Sequence, residues 1–181
     1  MSDTGARGAP RDRTHRTVID YIDRTRDYYL MAGYQNPYAW AHFDEVPFVP
    51  LPKPLAACRV GLVTTAAPYQ PDRGDQGPHA PYNAAAKFHE VYRLPVEPPP
   101  DLRIAHVGYD RDHTVPADPN AYFPLARLRE AVAAGRIGAL PACVYATPTT
   151  RSQRHVTEVD APAILAWCRE DAVDAAVLTA V

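Results

Sequence analysis

The stretch Arg59-Val60-Gly61-Leu62-Val63-Thr64-Thr65 (RVGLVTT) decides the fold. It is continuously apolar and rich in β-branched residues until the two threonines, a pattern typical of a strand buried on both faces. Further along the chain, apolar runs at 102–107, 142–146 and 173–181 predict more strands. Residues 137–140 are interpreted as a strand paired with 142–146 or as its approach. A short run at 90–94, closed by the proline-rich PVEPPP, predicts an edge strand.

Helical periodicity alternates with these strands. Residues from about 14 to 33 predict a first helix that Gly33 ends, and residues 123–134 predict another that stops at Gly135. Asp160 is interpreted as the cap of a third helix that starts near Ala161. Alternating strands and helices predict an α/β fold with three layers: a mostly parallel sheet, helices flanking it, and a Pro/aromatic-rich N-terminal arm.

The composition divides the chain into three regions. Residues 1–13 predict a disordered N-terminal arm. Residues 14–52 comprise the first helix and an aromatic- and proline-rich extension, packed by Tyr34, Tyr38, Trp40, Phe43 and Phe48. Residues 53–181 form the α/β domain. Between its elements lie three polar loops, at 66–87, 108–120 and 147–158.

Charge and cysteine content exclude several classes of protein. The formal net charge is -2, so no basic surface for nucleic acid is indicated. No apolar run approaches the ~20 residues of a membrane span, and the polar start lacks the core of a secretory signal. The 3 cysteines are widely spaced, which favours reduced thiols in a cytoplasmic protein and gives no metal-ligand pattern. With no Gly-x-Gly-x-x-Gly and no P-loop, no cofactor is implied.

Candidate site residues follow the ends of predicted strands, because parallel α/β sheets bind ligands at the carboxyl ends of their strands. Two hydroxyls follow the first strand, and a cluster of imidazole, carboxylate and amide groups follows the second. Such groups can transfer protons or hold an amino-acid ligand. The simpler alternative is a solvated loop whose Asp and Asn residues form turns and cap the next helix. The candidates are Thr64, Thr65, His106, Asp110, His113, Asp118 and Asn120.

Three stretches carry a resemblance to a known family. KPLAACRVGLVTTAAPY (53–69) resembles the KPL-x-x-x-RVALVTT segment of the glycine/sarcosine/betaine reductase selenoprotein B family, which is related to the selenoprotein subunit of D-proline reductase. DLRIAHVGYDRDHTVPADPNAYFPLARLREAVAAGRIGAL (101–140) is similar to the family's second signature, and DAVDAAVLTAV (171–181) to its DGVDAVLL-x-PV segment. The resemblance covers roughly residues 53–181.

The resemblance implies an oxidoreductase that cleaves a C–N bond. In that family a selenolate or thiolate, from selenocysteine or cysteine in a motif with Pro, one residue and Cys, attacks the α-carbon of a small amine or amino acid. In some members a partner subunit first activates the substrate as an imine. The implied partners are other subunits of a reductase complex. The chain also departs from the family's pattern at two places. Ala105 replaces a usual serine, and residues 141–155 differ from the family's sequence there.

The resemblance places the redox motif directly after Val181. We therefore expect an N-terminal fragment, made by reading an in-frame UGA selenocysteine codon as a stop, that has no reductase activity by itself. Nucleotides after the Val181 codon test this: UGA followed by Pro-x-Cys codons is the expected result.

The alternative is a non-catalytic small-molecule-binding or assembly module of an α/β complex. An exposed edge on the last strand would favour a partner subunit or a homo-oligomer. An unrelated α/β hydrolase would need a nucleophile elbow, which the sequence lacks.

Overall fold

The computed structural model describes residues 20–36, 43, 45–74, 88–104, 117–148 and 152–180. They fall into two compact units, divided between Pro47 and Phe48. Among these residues, none of the helices combines the length and the apolar character needed to cross a membrane.

The N-terminal unit contains helix α1, Asp20–Met31. This confirms the predicted first helix, although its predicted start near residue 14 lies outside the described residues. Gly33 follows with φ 87°, a left-handed conformation that glycine adopts without strain. After the helix, Tyr34 packs edge-on against Tyr29, with ring centroids 5.5 Å apart.

The aromatic extension is not packed in the way the sequence predicts. The side chains of Tyr34, Phe43 and Phe48 are 60%, 69% and 92% exposed. Residues 45–50 form neither helix nor strand, so proline keeps this stretch out of regular structure without providing a surface for the rings to cover. Tyr38 and Trp40 lie outside the described residues.

The second unit is built on a four-stranded sheet whose central strand is β1, Val60–Thr64. On one side β1 pairs in parallel with β6, Ala175–Thr179, and on the other with β5, Cys143–Ala146. The fourth strand, β3 (Tyr92–Pro95), pairs antiparallel with β5 and is the predicted edge strand. The strand order is β3-β5-β1-β6, so the predicted α/β class with a mostly parallel sheet is confirmed.

One face of the sheet carries helix α2, Leu125–Ala133. Alternate strand residues such as Leu62 and Val144 join Leu125 in a single buried apolar cluster. Leu62 is 1% exposed, and the partly buried Leu128 packs against the same cluster. Because side chains alternate along a strand, this face takes every second residue of β1 and β5.

The opposite face carries the end of helix α4, Ala161–Glu170. Tyr145 of β5 points to this side, and its hydroxyl donates to Asp171 Oδ2 at 2.6 Å. A Cβ atom on Gly61 would lie 3.2 Å from the Val173 side chain and 3.3 Å from the Tyr145 ring. A side chain at this position would crowd both neighbours, so glycine favours the close approach of the chain after α4 to β1.

The predicted strand at 102–107 does not join this sheet. The structure has a shorter strand β4, Leu102–Arg103, which pairs antiparallel with β2, Ala67–Pro68, in a separate two-stranded sheet. Both neighbours of the central strand β1 are other strands, β5 and β6, so β4 does not pair with β1. Residues 105–107 lie outside the described residues.

The helical region before α4 also differs from the prediction. Residues 147–158 are predicted to be a loop, yet α3 (Gln153–His155) and a π-helical turn (Val156–Asp160) run directly into α4. The helix cap is Ser152, whose Oγ accepts the His155 N–H at 3.2 Å. The cap role predicted for Asp160 is wrong, because its backbone is helical and its side chain makes no cap hydrogen bond.

Candidate functional site

A threonine ends or directly follows each of the three parallel strands. Thr64 closes β1, Thr179 closes β6, and Thr147 directly follows β5. Thr64 is level with Thr179 in the register, and the Thr147 N–H donates to the Thr64 carbonyl at 3.0 Å. Parallel strands bring their carboxyl ends to one edge of a sheet, and in open α/β folds this edge binds ligands.

Two of these hydroxyls meet at one backbone carbonyl. Thr64 Oγ1 and Thr179 Oγ1 each donate to the carbonyl of Tyr122 at 2.7 Å. The Thr64 hydroxyl also accepts the Ala66 N–H at 3.1 Å, and its residue is fully buried. We call Thr64, Thr179 and Tyr122 the Tyr122 junction. Its hydrogen bonds hold the chain before α2 against the carboxyl edge of the sheet.

Asp118 and Asn120 lie just before this junction and are bonded to each other. Asp118 Oδ1 accepts the Asn120 backbone N–H at 3.0 Å and the Asn120 side-chain amide at 2.7 Å. These contacts cap a short 3-10 helix, Pro119–Ala121. The hydrogen bonds from Asn120, the backbone one first, lower the pKa of Asp118, which therefore stays ionised in an exposed position.

The other predicted site residues divide into two groups. Thr65 follows Thr64 and is half-buried. His106, Asp110 and His113 lie between 105 and 116, outside the described residues. The structure therefore brings Thr64, Asp118 and Asn120 to one edge of the sheet, while the role proposed for the histidines stays a prediction.

The sequence interpretation missed a polar group that follows β5. Asp160 is 1% exposed, and its Oδ1 lies 3.3 Å from His155 Nε2. Asp160 Oδ2 and Thr147 Oγ1 are the buried side-chain oxygens without a hydrogen-bond partner in the described part of the chain. We call residues 147–160, which follow β5, the β5 exit segment. The structure describes residues 147–148 and 152–160 of this segment. Its position after a parallel strand could have signalled Thr147, whereas nothing in the sequence marks the π-helical turn that pairs His155 with Asp160.

Two of the three cysteines, Cys58 and Cys168, have the environments of structural residues, and the third, Cys143, is half-buried in β5. Cys58 is fully buried, and its sulfur lies 3.4 Å from the Lys53 carbonyl. Burial raises the pKa of the Cys168 thiol, with a smaller contribution from the nearby Asp171 carboxylate. A thiol that is harder to ionise is a poorer nucleophile at neutral pH.

No metal centre is found within the described ranges, because they contain no group of three or more His, Cys, Asp and Glu side chains set to hold an ion. What these ranges do present is a set of hydroxyl, amide and carboxylate groups at the carboxyl edge of a parallel sheet. This arrangement defines an α/β protein with polar groups at the carboxyl edge of its sheet, the position at which open α/β folds bind small molecules.

The family comparison identifies the class further. The family model for glycine/sarcosine/betaine reductase selenoprotein B matches residues 18–181, which include every element described above. The chain belongs to the glycine/sarcosine/betaine reductase selenoprotein B family. No curated protein and no solved structure gave a significant match to the chain.

Proposed function

We propose that this chain acts in the reductive cleavage of the C–N bond of a small amine or amino acid, as part of a multi-subunit reductase. The single observation that carries the proposal is the family match over residues 18–181. The carboxyl edge of the sheet supports it, since polar groups from several elements converge there around the Tyr122 junction.

The chemistry of this step needs a strong nucleophile and a reductant. A selenolate or thiolate attacks the substrate α-carbon, a C–Se or C–S bond forms, and the C–N bond breaks. The electron pair of that bond leaves with the nitrogen, so an ammonium substrate releases a neutral amine. A dithiol then supplies two electrons to free the reduced carbon group, and becomes a disulfide.

Two of the three cysteines in this chain support a division of labour between polypeptide segments. Cys58 is buried and Cys168 has a raised pKa, so neither is placed as an activated thiolate. We infer that residues 1–181 hold the substrate, while the selenolate or thiolate comes from outside them. The 181-residue chain by itself then has no reductase activity.

The experiment measures binding and turnover separately. Saturation-transfer NMR with glycine, sarcosine, betaine and D-proline is expected to show saturable binding of at least one, and acetate serves as a control that lacks nitrogen. Dithiol-dependent release of amine from the same four compounds should be absent with the chain alone. No binding to any of them, or amine release by the isolated chain, would contradict the proposal.

A second candidate function, a non-catalytic assembly module, is favoured by strand β6. This strand lies at an edge of the four-stranded sheet, and its Leu178 side chain is 77% exposed. Exposed strand edges with apolar side chains pair readily with other chains. Sedimentation analysis tests this: a monomer at all concentrations, both alone and with reductase subunits, argues against the assembly function and against a homo-oligomer.

A further inference from the structure

A π-helical turn places His155 and Asp160 on the same side of their helix. The turn spans Val156–Asp160, and the Ala161 N–H donates to the Val156 carbonyl five residues earlier. In an α-helix of 3.6 residues per turn, residues five apart point about 140° away from each other. The wider π turn instead brings residue i+5 back over residue i, and such turns are frequent at functional sites.

The Asp160 carboxylate is incompletely paired. One oxygen lies 3.3 Å from His155 Nε2, and the other, Oδ2, is buried without a hydrogen-bond partner. A buried carboxylate is costly unless hydrogen bonds and an opposite charge compensate for the loss of water. His155 offers a single contact, and it carries a positive charge only when protonated. The group missing from this site is therefore an N–H donor with a positive charge.

We propose that Asp160 binds the ammonium group of a small primary or secondary amine, with Oδ2 accepting one of its N–H bonds. As a statement about substrate, this rests on the function proposed above. A divalent metal ion fits less well, because the described residues supply no third ligand beside His155 and Asp160. A quaternary ammonium carries the right charge but has no N–H to donate.

His155 gives the ligand a way in. Its side chain is 45% exposed, whereas that of Asp160 is 2% exposed. In this proposal the exposed imidazole rotates away from Oδ1, and the incoming ammonium binds the carboxylate in its place, with Oδ2 accepting one of its N–H bonds. Removal of the His155 ring leaves the Asp160 carboxylate in place to bind the ammonium. It also removes the imidazole, which competes with the ammonium for that carboxylate.

The first test compares two cations of equal charge on the full chain labelled with 13C-histidine. Methylammonium chloride is expected to shift the His155 ring signals saturably, and the His155→Ala variant assigns those signals. Tetramethylammonium chloride is expected to bind at least about tenfold more weakly, because a charged hydrogen bond contributes 1.4 kcal/mol or more and each 1.4 kcal/mol is a factor of ten. Equal affinity for the two cations overturns the proposal.

Variants identify the carboxylate. Asp160→Asn is expected to weaken methylammonium binding at least about tenfold. The matched control is Asp72→Asn, whose side chain is 79% exposed, and it should bind as the unaltered chain does. In calorimetry, His155→Ala should bind methylammonium as tightly as the unaltered chain or more tightly. This measurement still tests the proposal if Asp160→Asn does not fold. Loss of binding in His155→Ala, or unchanged binding in Asp160→Asn, overturns the assignment.

A last comparison separates this site from the proposed function. Glycine and sarcosine should bind in competition with methylammonium, while betaine should not compete. Methylammonium binding without glycine or sarcosine binding keeps Asp160 as an ammonium site and counts against the proposed substrate class. Glycine binding that Asp160→Asn leaves unchanged rejects the Asp160 site and leaves the proposed function standing.

Discussion

The Tyr122 junction and the β5 exit segment lie at the ends of neighbouring strands of one sheet, yet they differ in whether their polar groups have hydrogen-bond partners. At the junction, the buried hydroxyl of Thr64 and the half-buried hydroxyl of Thr179 both donate to the Tyr122 carbonyl at 2.7 Å. In the β5 exit segment, a hydroxyl and a carboxylate oxygen are buried without partners. Buried polar groups cost little when they are bonded and much when they are not.

We propose that this difference, rather than residue type, distinguishes positions that hold the fold from positions that bind a ligand. Thr64 and Thr147 are the same residue near the carboxyl ends of neighbouring parallel strands, although Thr147 lies one position beyond Ala146, the register partner of Thr64. The Thr64 hydroxyl both donates and accepts a hydrogen bond and holds the fold together. Thr147 and Asp160 have capacity to spare, and a ligand is the simplest way to use it.

The largest effect on stability is expected at the junction. Thr64→Val keeps the shape of the side chain but removes both hydrogen bonds of a fully buried hydroxyl, leaving the Ala66 N–H without its partner. The free energy of unfolding should fall by about 1–3 kcal/mol. Urea denaturation followed by circular dichroism measures it. Thr157→Val is the control: its hydroxyl donates to the Gln153 carbonyl at 2.9 Å in an exposed position, where water can replace that bond, so stability should change by less than about 0.5 kcal/mol.

A smaller effect of opposite sign is expected in the β5 exit segment. Thr147→Val removes a buried hydroxyl oxygen that has no partner, so the same urea experiment should give a change between zero and a gain of about 1 kcal/mol. A loss of stability as large as that of Thr64→Val would show that the Thr147 hydroxyl stabilises the fold as much as the hydrogen-bonded Thr64 hydroxyl does.

The smallest effect is expected for Asp118→Asn and appears only in acid. Because the folded-state pKa of Asp118 is lowered, its ionised form stabilises the fold above the unfolded-state pKa of about 4. That contribution is lost as pH falls through the folded-state pKa. Asparagine can still cap the 3-10 helix, so the variant should match the unaltered chain at pH 7. Between pH 5 and pH 2.5 it should lose less stability, as measured by urea midpoints; identical acid profiles would contradict this.

The sequence predicts the central part of the fold because the signals there are local. The apolar run at 59–65 is buried as strand β1, and 173–181 contains β6. The strand predicted at 102–107 is wrong as a member of the main sheet, since periodicity identifies an extended segment but does not say whether an edge of β1 is free to accept it.

The site is less predictable than the fold, for a physical reason. The rule that ligands gather at strand ends predicts Thr64, Asp118 and Asn120 as neighbours at the carboxyl edge of the sheet, and a simple extension of it reaches Thr147. It does not reveal that Asp118 caps its own turn. It also cannot reveal the Asp160 pair, because an α-helix would turn Asp160 away from His155 and one π turn reverses this.

The position of β1 in the sheet has a consequence for the synthesis of the protein. Its partners lie far along the chain: Val63 is level with Tyr145, and Val60 with Ala175, 115 residues later. A nascent chain therefore carries this apolar strand with both edges open until β5 has been translated, and with one edge open until β6 follows near the end of the described domain. Such distant pairings are reached slowly, and a long-lived open strand is exposed to aggregation. We expect this chain to depend on chaperones during translation more than a protein whose central strand pairs with its nearest neighbours.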